Sequence, residues 1–332
     1  MEMTTFAISS LGNIGEAVYE TYIKDCEYCM DNGEEMDMKL VGIIRRNARS
    51  GETYFDTPVV SDVGNLEASP DVVICCAPSD VVMTYVYKYV GAGYSIVDCY
   101  DAHENIYDNH GKISAIAKKN RCVALHTTGW DPGLYSTERS IAYRINPFTK
   151  PTTNYGVGRS MGHTTQAKGI MVEFGITDPR AVSITSHFKT EAGILVPGKH
   201  QRDLYIELPD WFAQKDELKA ALLSDDYFAT ITKSGKEKPQ HTDIHVVDSI
   251  APYDTMRHGG YMLSDGGGYA KMEVALDGDN PTMTSRMMYS GARAVARLEK
   301  EMRFGCYLDP QIAPLDFVKG EALKDRMQRV FL

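Results

Sequence analysis

The chain contains no apolar run of about 18 residues, so no segment is long enough to cross a membrane as a helix. Its opening residues, Met1-Glu2-Met3-Thr4, carry neither a basic stretch nor an apolar core, and no secretory leader is expected. Basic charge is in deficit. Lys and Arg number 35 against 45 Asp and Glu, a net charge of −10. Such a surface repels phosphate backbones, which argues against nucleic acid as a partner. Cysteines are few and scattered, at positions 26, 29, 75, 76, 99, 122 and 306. Their odd number and irregular spacing fit a reducing cytoplasm. Cys26 and Cys29 spell a CxxC, but no second pair accompanies them. His241 and His245 stand four apart in a strand pattern, so no metal centre is expected. There is no internal repeat and no low-complexity tract.

What is present is alternation of strand and helix. With 332 residues the chain has room for two domains. Short apolar runs occupy Thr4–Ser9, Met38–Ile44, Pro58–Val60, Asp71–Cys76, Tyr94–Cys99 and Cys122–Thr127. Helix patterns separate most of them. Nearly continuous apolar strands of this kind belong to a parallel sheet covered on both faces. Ligands in such sheets bind beyond the carboxyl ends of the strands. The second half reads differently: Arg202–Leu208 and Thr242–Val247 alternate polar and apolar residues, which predicts an antiparallel sheet. Asn280-Pro281 opens a helix that should run to about Met302, with Met283, Met287, Ala294, Leu298 and Met302 near one face. That stripe reads as core or a subunit contact.

The fold expected is therefore α/β. A Rossmann-type doubly wound sheet over 1–128 precedes a second α+β domain, on a mixed or antiparallel sheet, over 129–303. Residues 304–332, with a helix pattern over Glu321–Val330, are expected to pack back on the first domain.

The turn Ser10-Leu11-Gly12-Asn13-Ile14-Gly15 is a dinucleotide fingerprint whose first glycine is serine. Gly12 would let the backbone approach a pyrophosphate, Gly15 would allow close helix packing, and Asn13 and Ile14 open the helix. An acidic residue after the second strand would bind a ribose hydroxyl. The chain instead reads Arg45-Arg46, guanidinium groups suited to a 2′-phosphate, so NADP(H) is expected over NAD(H). Cys76-Ala77-Pro78-Ser79, past the fourth strand, completes the predicted cofactor loops.

Asp101 follows the fifth strand, where a nicotinamide ring would sit. Thr127–Ser136 follows the sixth and carries Trp130, Asp131 and a Pro-Gly turn. Alone, this stretch reads as a tight turn around a buried tryptophan. Beside Asp101 it becomes a substrate wall. Two carboxylates suit a cationic amine and can move a proton.

The blocks Val97-Asp98-Cys99-Tyr100-Asp101, Thr128-Gly129-Trp130-Asp131-Pro132-Gly133, Gly156–His163 and His258-Gly259-Gly260, with the Ser10–Gly15 turn and Arg45-Arg46, resemble the meso-diaminopimelate dehydrogenase family over most of the chain. The resemblance implies reversible, NADP-dependent oxidative deamination at the D-centre of meso-2,6-diaminopimelate, giving L-2-amino-6-oxopimelate and ammonia, in lysine and cell-wall precursor metabolism. It implies catalytic roles for Asp101 and Asp131, with Trp130 shaping the pocket. Backbone amides around Met161 and Gly162 would take one carboxylate; Thr185, Arg202 and His258 would take the distal one. It also implies a cytoplasmic homodimer. The chain departs from the family pattern twice. Asn105 stands where a second acid is common, with Asp108 the next acid along, and Tyr269-Ala270-Lys271 lacks an expected asparagine. A dehydrogenase of another D-amino acid or diamine is the nearest alternative. A sugar dehydrogenase of the glucose-fructose oxidoreductase type would need its Glu-Lys-Pro signature after the fifth strand, whereas Glu237-Lys238-Pro239 lies far downstream. A dihydrodipicolinate-reductase-like enzyme would need a basic cluster that is not evident, and a cofactor-binding sensor would need no amine pocket.

Overall fold

The computed structural model describes residues 3–148, 152–193, 195–231, 235, 237–238, 240–254, 257–268, 270–320 and 322–331. Two compact units form, Met1–Glu138 with Pro281–Leu332, and Arg139–Asn280.

The first unit opens with β1 (Thr4–Ser9), α1 (Asn13–Asn32), β2 (Met38–Ile44), β3 (Thr53–Tyr54) and β4 (Thr57–Val60). It continues with β5 (Val72–Cys75), α2 (Ser79–Gly91), β6 (Ser95–Asp98), α3 (Ile106–Asn120), β7 (Val123–Leu125) and the start of α4 (Leu134–Ile145). The second unit holds β8 (Thr152–Arg159), α5 (Met161–Glu173), β9 (Arg180–Lys189), β10 (Leu195–Glu207), α6 (Lys215–Ser224), β11 (Gln240–Val246), β12 (Arg257–Asp265) and β13 (Lys271–Asp279). The chain then returns through α7 (Asn280–Lys300), β14 (Gly305–Tyr307) and α8 (Leu323–Phe331). Glu321, where the last helix was expected to begin, lies outside the described residues.

The strand order in the first sheet is β14-β7-β6-β5-β1-β2-β4-β3. Every pairing is parallel except the β3–β4 hairpin. Strands β5 and β6 are buried at every position, as the continuous apolar runs require. Connections leave β1 toward β2 on one side while β5 lies on the other, so the sheet's switch point falls between β1 and β5.

The expected boundary differs from this division. Residues 281–303 pack with the first unit. Met288, Tyr289, Ala292, Val295 and Leu298 of α7 share a core with Phe6, Ile8, Val97 and Leu125. The helix is thus largely core. Met302, assigned to its apolar face, is instead 69% exposed, since the helix ends two residues earlier. Trp130 and Asp131, placed in the second domain by sequence, also belong to the first unit. After α7, β14 pairs in parallel with β7 and extends the first sheet.

The second sheet has the order β11-β10-β9-β8-β12-β13. Its pairings are antiparallel except β10 with β11, which run parallel. The alternation over 242–247 therefore marks an edge strand with one solvated side, not an antiparallel partner. Leu204 and Ile206 of β10 turn inward against Leu218 and Leu222 of α6 and against Ala167 and Met171 of α5.

Candidate active site

At the carboxyl ends of β1, β2 and β5 lies a cleft of about 850 Å³, lined by Ser10, Arg45, Arg46, Ala77, Lys88 and Tyr89 among others. Of the fingerprint turn, Ser10 lines it, while residues 11–15 are not among the lining residues. Ser10 occupies the left-handed region with φ 77°, the conformation that the missing glycine would supply. Its N–H donates to the Ile44 carbonyl at 2.9 Å, and the Cys76 N–H donates to the Ser9 carbonyl at 2.8 Å. These two bonds tie the ends of the three strands together. A Cβ at Gly15 would stand 2.1 Å from the Ser10 carbonyl oxygen, so only glycine lets α1 close on the turn. A Cβ at Gly12 would meet nothing within 4 Å, leaving that approach open. Helix α1 begins at Asn13, so the N–H groups of Asn13, Ile14 and Gly15 are not used within the helix.

The two arginines are not equivalent. Arg45 forms an ion pair with Glu52. Glu52 also accepts the Arg49 N–H at 2.8 Å, and that bond, followed by the Arg45 charge, holds its carboxyl below the usual range. Arg46 has no acidic partner among the described residues. Ala77 lines the cleft, whereas Cys76 and Pro78 are not among its lining residues. The side chain of Ser79 lies outside the described residues. Sequence reading missed Tyr85, Lys88 and Tyr89, although Val81, Tyr85 and Lys88 recur at the spacing of one helix face on α2. Tyr89 is buried, with its hydroxyl 2.8 Å from that of Ser9.

The exits of β6 and β7 carry the predicted acids. These strands are neighbours, with Val97 opposite Leu125. Asp101 is exposed, three residues past β6. Asn105 ends a short 3-10 turn and donates to the Tyr100 hydroxyl at 3.3 Å. Asp108 lies exposed in the first turn of α3. Beyond β7, Trp130 bridges to Gly133, and the Asp131-Pro132 peptide bond is cis. The Leu134 and Tyr135 N–H groups donate to the Gly129 and Trp130 carbonyls at 2.9 and 2.8 Å. The indole packs edge-on against Tyr135, ring centroids 5.5 Å apart. Gly133 has φ 127°, and a Cβ there would lie 2.1 Å from the Gly129 oxygen. Trp130 and Asp131 thus stand half-buried on a closed turn.

Beneath both exits, Asp98 and His126 are fully buried, with His126 Nδ1 2.8 Å from Asp98 Oδ2. Asp309, from the segment after β14, accepts the Thr128 hydroxyl at 3.3 Å. Burial pushes its carboxyl up to about 7.

The second unit supplies a cationic site. Arg202 is 5% exposed. Its Nη1 donates to Thr185 Oγ1 at 3.0 Å and Ser183 Oγ at 3.4 Å, and Nη2 lies 3.3 Å from His200 Nε2. Burial lowers its pKa to about 10. His163 is held to Ser160 Oγ at 2.7 Å; burial, then the charge of Arg202, pushes its pKa down to about 3. Burial and Arg202 lower His200 to about 4. At neutral pH both imidazoles are neutral. Among the described residues no carboxylate pairs with this guanidinium. A buried cation so placed favours an anionic guest.

The sheet explains why distant residues gather here. Arg202 lies opposite Thr185, Thr185 opposite Gly158, and Gly158 opposite His258, forming one row across β10, β9, β8 and β12. The side chain of His258 lies outside the described residues, as does that of Met161. Helix α5 begins at Met161, so its first N–H groups, including that of Gly162, are unused within the helix. Tyr269, one of the departures seen in sequence, also lies outside the described residues.

No protein-family model matches the chain. It is 29% identical over 327 residues to the meso-diaminopimelate D-dehydrogenase of Bacteroides fragilis, covering 97% of each protein. It is 27% identical to the enzyme of that name from Corynebacterium glutamicum, covering 97% of this chain and 98% of the relative. The solved structure of the C. glutamicum DAP dehydrogenase in complex with DAP superposes with a TM-score of 0.75 at 25% identity, over 100% of both chains. An engineered D-amino acid dehydrogenase bound to NADP+ shares the fold, with a TM-score of 0.70 at 23% identity over 99% of this chain and 100% of that one. In sequence and in fold alike, this chain is similar over its whole length to the meso-diaminopimelate D-dehydrogenases.

Proposed function

We propose that the protein is an NADP(H)-dependent oxidoreductase that reversibly deaminates the D-centre of meso-2,6-diaminopimelate, yielding L-2-amino-6-oxopimelate and ammonia. The reading is carried by a feature within each unit: in the first, two acids past adjacent parallel strands, and in the second, a buried guanidinium that no carboxylate among the described residues pairs with. An amino acid with a second, distal carboxylate answers both.

The cleft fits a dinucleotide. The open approach at Gly12, the N–H groups at the start of α1 that the helix does not use, and Arg46, which has no acidic partner among the described residues, suit a pyrophosphate and a 2′-phosphate. When bound, NADP+ supplies a hydride acceptor. The chain's own residues do the rest. Asp101 and Asp131 hold the substrate ammonium, one of them takes the proton that frees the amine, and both stabilise the cationic iminium left when the carbon of the neutral amine loses hydride. Water adds to that carbon, a carboxylate takes its proton, and ammonia leaves. Trp130 limits what the pocket admits. The N–H groups at the start of α5, from Met161 and Gly162, bind one substrate carboxylate, as helix N-termini do. Arg202 and Thr185 take the distal carboxylate, with His258 in the same row. Association as a homodimer and a cytoplasmic location belong to the same reading. The test is initial-rate measurement on meso-diaminopimelate with NADP+, with other diamines and D-amino acids alongside. Preference for a simple D-amino acid would move the assignment to that substrate, and Asn105 is the residue that would explain it.

A further inference from the structure

We propose that Asp98 is a positioning residue that locks the two acid-bearing loops in one geometry. The proposal rests on the deamination reading above, because it assigns Asp98 no contact with substrate or cofactor.

The geometry is specific. Asp98 is the last residue of β6 and is fully buried. One oxygen, Oδ1, accepts the Tyr100 N–H at 3.0 Å, in the loop that leads to Asp101. The same oxygen accepts the Thr127 N–H at 3.3 Å, in the loop that leads to Trp130 and Asp131. Both carboxylate oxygens meet His126 Nδ1, at 3.0 and 2.8 Å. The main-chain oxygen of Asp98 takes the Thr128 N–H at 2.7 Å. One residue therefore binds the backbone of both exit loops. Thr127 has φ 65°, a costly conformation for a β-branched residue, and the Asp98 bond is one of the contacts that hold it. His126 extends the lock. Its ring stacks on Tyr100, centroids 5.5 Å apart and planes 18° off parallel, and its main-chain N–H donates to the Tyr307 carbonyl of β14 at 2.9 Å.

A buried carboxylate with this many donors exceeds what a strand end needs. Adjacent parallel strands already fix their own spacing, but not the loops beyond them. Two catalytic carboxylates are useful only when held at a set separation from the reacting carbon, and a small misplacement can cost about a hundredfold in rate.

The test is Asp98→Asn in the full chain. The amide keeps the size of the side chain but loses the charge shared among three donors. The expected result is a fall in kcat on meso-diaminopimelate of about ten- to a hundredfold, while NADPH binding by fluorescence titration keeps its affinity and stoichiometry. Amide hydrogen exchange should rise over residues 99–102 and 126–131 and stay unchanged over the Ser10–Gly15 turn. A loss of folded protein alone would lower NADPH stoichiometry in step with rate, which separates a structural role from a positioning one. Should Asp98→Asn fail to fold, His126→Gln carries the same expectation, because its amide cannot reach the place of Nδ1. Unchanged kcat in a folded variant overturns the positioning role. Wild-type exchange in both loops overturns the lock itself. A wild-type chain inactive on every amine would instead remove the proposed reaction, and the exchange measurement would still decide whether Asp98 ties the loops.

Discussion

The carbonyl oxygen of Ser10 sits where a Cβ on residue 15 would have to go, 2.1 Å from that position. Gly15→Ala should force the turn open and weaken NADPH binding about tenfold or more, the scale of losing charged hydrogen bonds to a phosphate. Ser10→Gly should leave the turn closed. It relieves a left-handed serine, a conformation that costs about 1–2 kcal/mol, against a gain in unfolded-state freedom of similar size. Its Tm should match or exceed that of the parent, with NADPH affinity preserved. Fluorescence titration and calorimetry on the pair check both statements.

How far the sequence carried depends on the kind of feature. The parallel sheet was legible because its strands are apolar on both faces, and the fingerprint because its glycines are short-range. The placement of α7 was not: its Met and Ala stripe fits any apolar surface, and only the structure shows that surface to be Phe6, Ile8 and Leu125. The row Arg202, Thr185, Gly158 and His258 depends on strand pairings between residues far apart in the chain, which no local pattern encodes. The Asp98–His126 pair was hidden for a similar reason. An acid at a strand end looks like any loop acid until its burial is known.

Arg46 and Arg45 should contribute unequally to cofactor choice, because Glu52 already neutralises Arg45. Arg46→Ala should lower kcat/KM with NADP about ten- to a hundredfold, as removal of a charge-assisted hydrogen bond to a phosphate does, and leave NAD nearly unchanged. Arg45→Ala should cost less. Steady-state constants with both cofactors measure the difference; equal losses in the two variants would reassign the 2′-phosphate contact.

Arg202→Met should separate substrate recognition from folding. Losing the guanidinium should lower kcat/KM for meso-diaminopimelate about ten- to a hundredfold, since a buried charged hydrogen bond to the distal carboxylate disappears. Turnover of D-amino acids lacking that carboxylate should hold or rise. Stability of the free protein should not fall, because a buried charge with no carboxylate partner among the described residues is replaced by an apolar side chain. Thermal unfolding in the absence of substrate reads the last point.

Asp309 should make stability fall with rising pH. Burial pushes its carboxyl up to about 7 from an ordinary 3.8, so the folded chain keeps a proton that the unfolded chain has released. The contribution is fully present below the unfolded value and is lost as pH rises through about 7. The limiting slope is about 1.4 kcal/mol per pH unit. Asp309→Asn, neutral throughout, should flatten the decline in denaturant midpoint between pH 5 and pH 8. An unchanged slope would show that Asp309 does not carry it.

Asp131→Ala should abolish amine turnover while NADPH still binds, because Asp131 sits on the turn beyond β7 and not in the cleft at the ends of β1, β2 and β5. Failure to fold would return the Gly129–Gly133 turn to a purely structural role.

The most direct measurement is the initial rate of NADP+ reduction with meso-, LL- and DD-diaminopimelate, with released ammonia measured in parallel. The account predicts turnover of the meso form well above the other two, one ammonia per reduced cofactor. No reduction with the meso form, or reduction with a sugar and no ammonia, would contradict it.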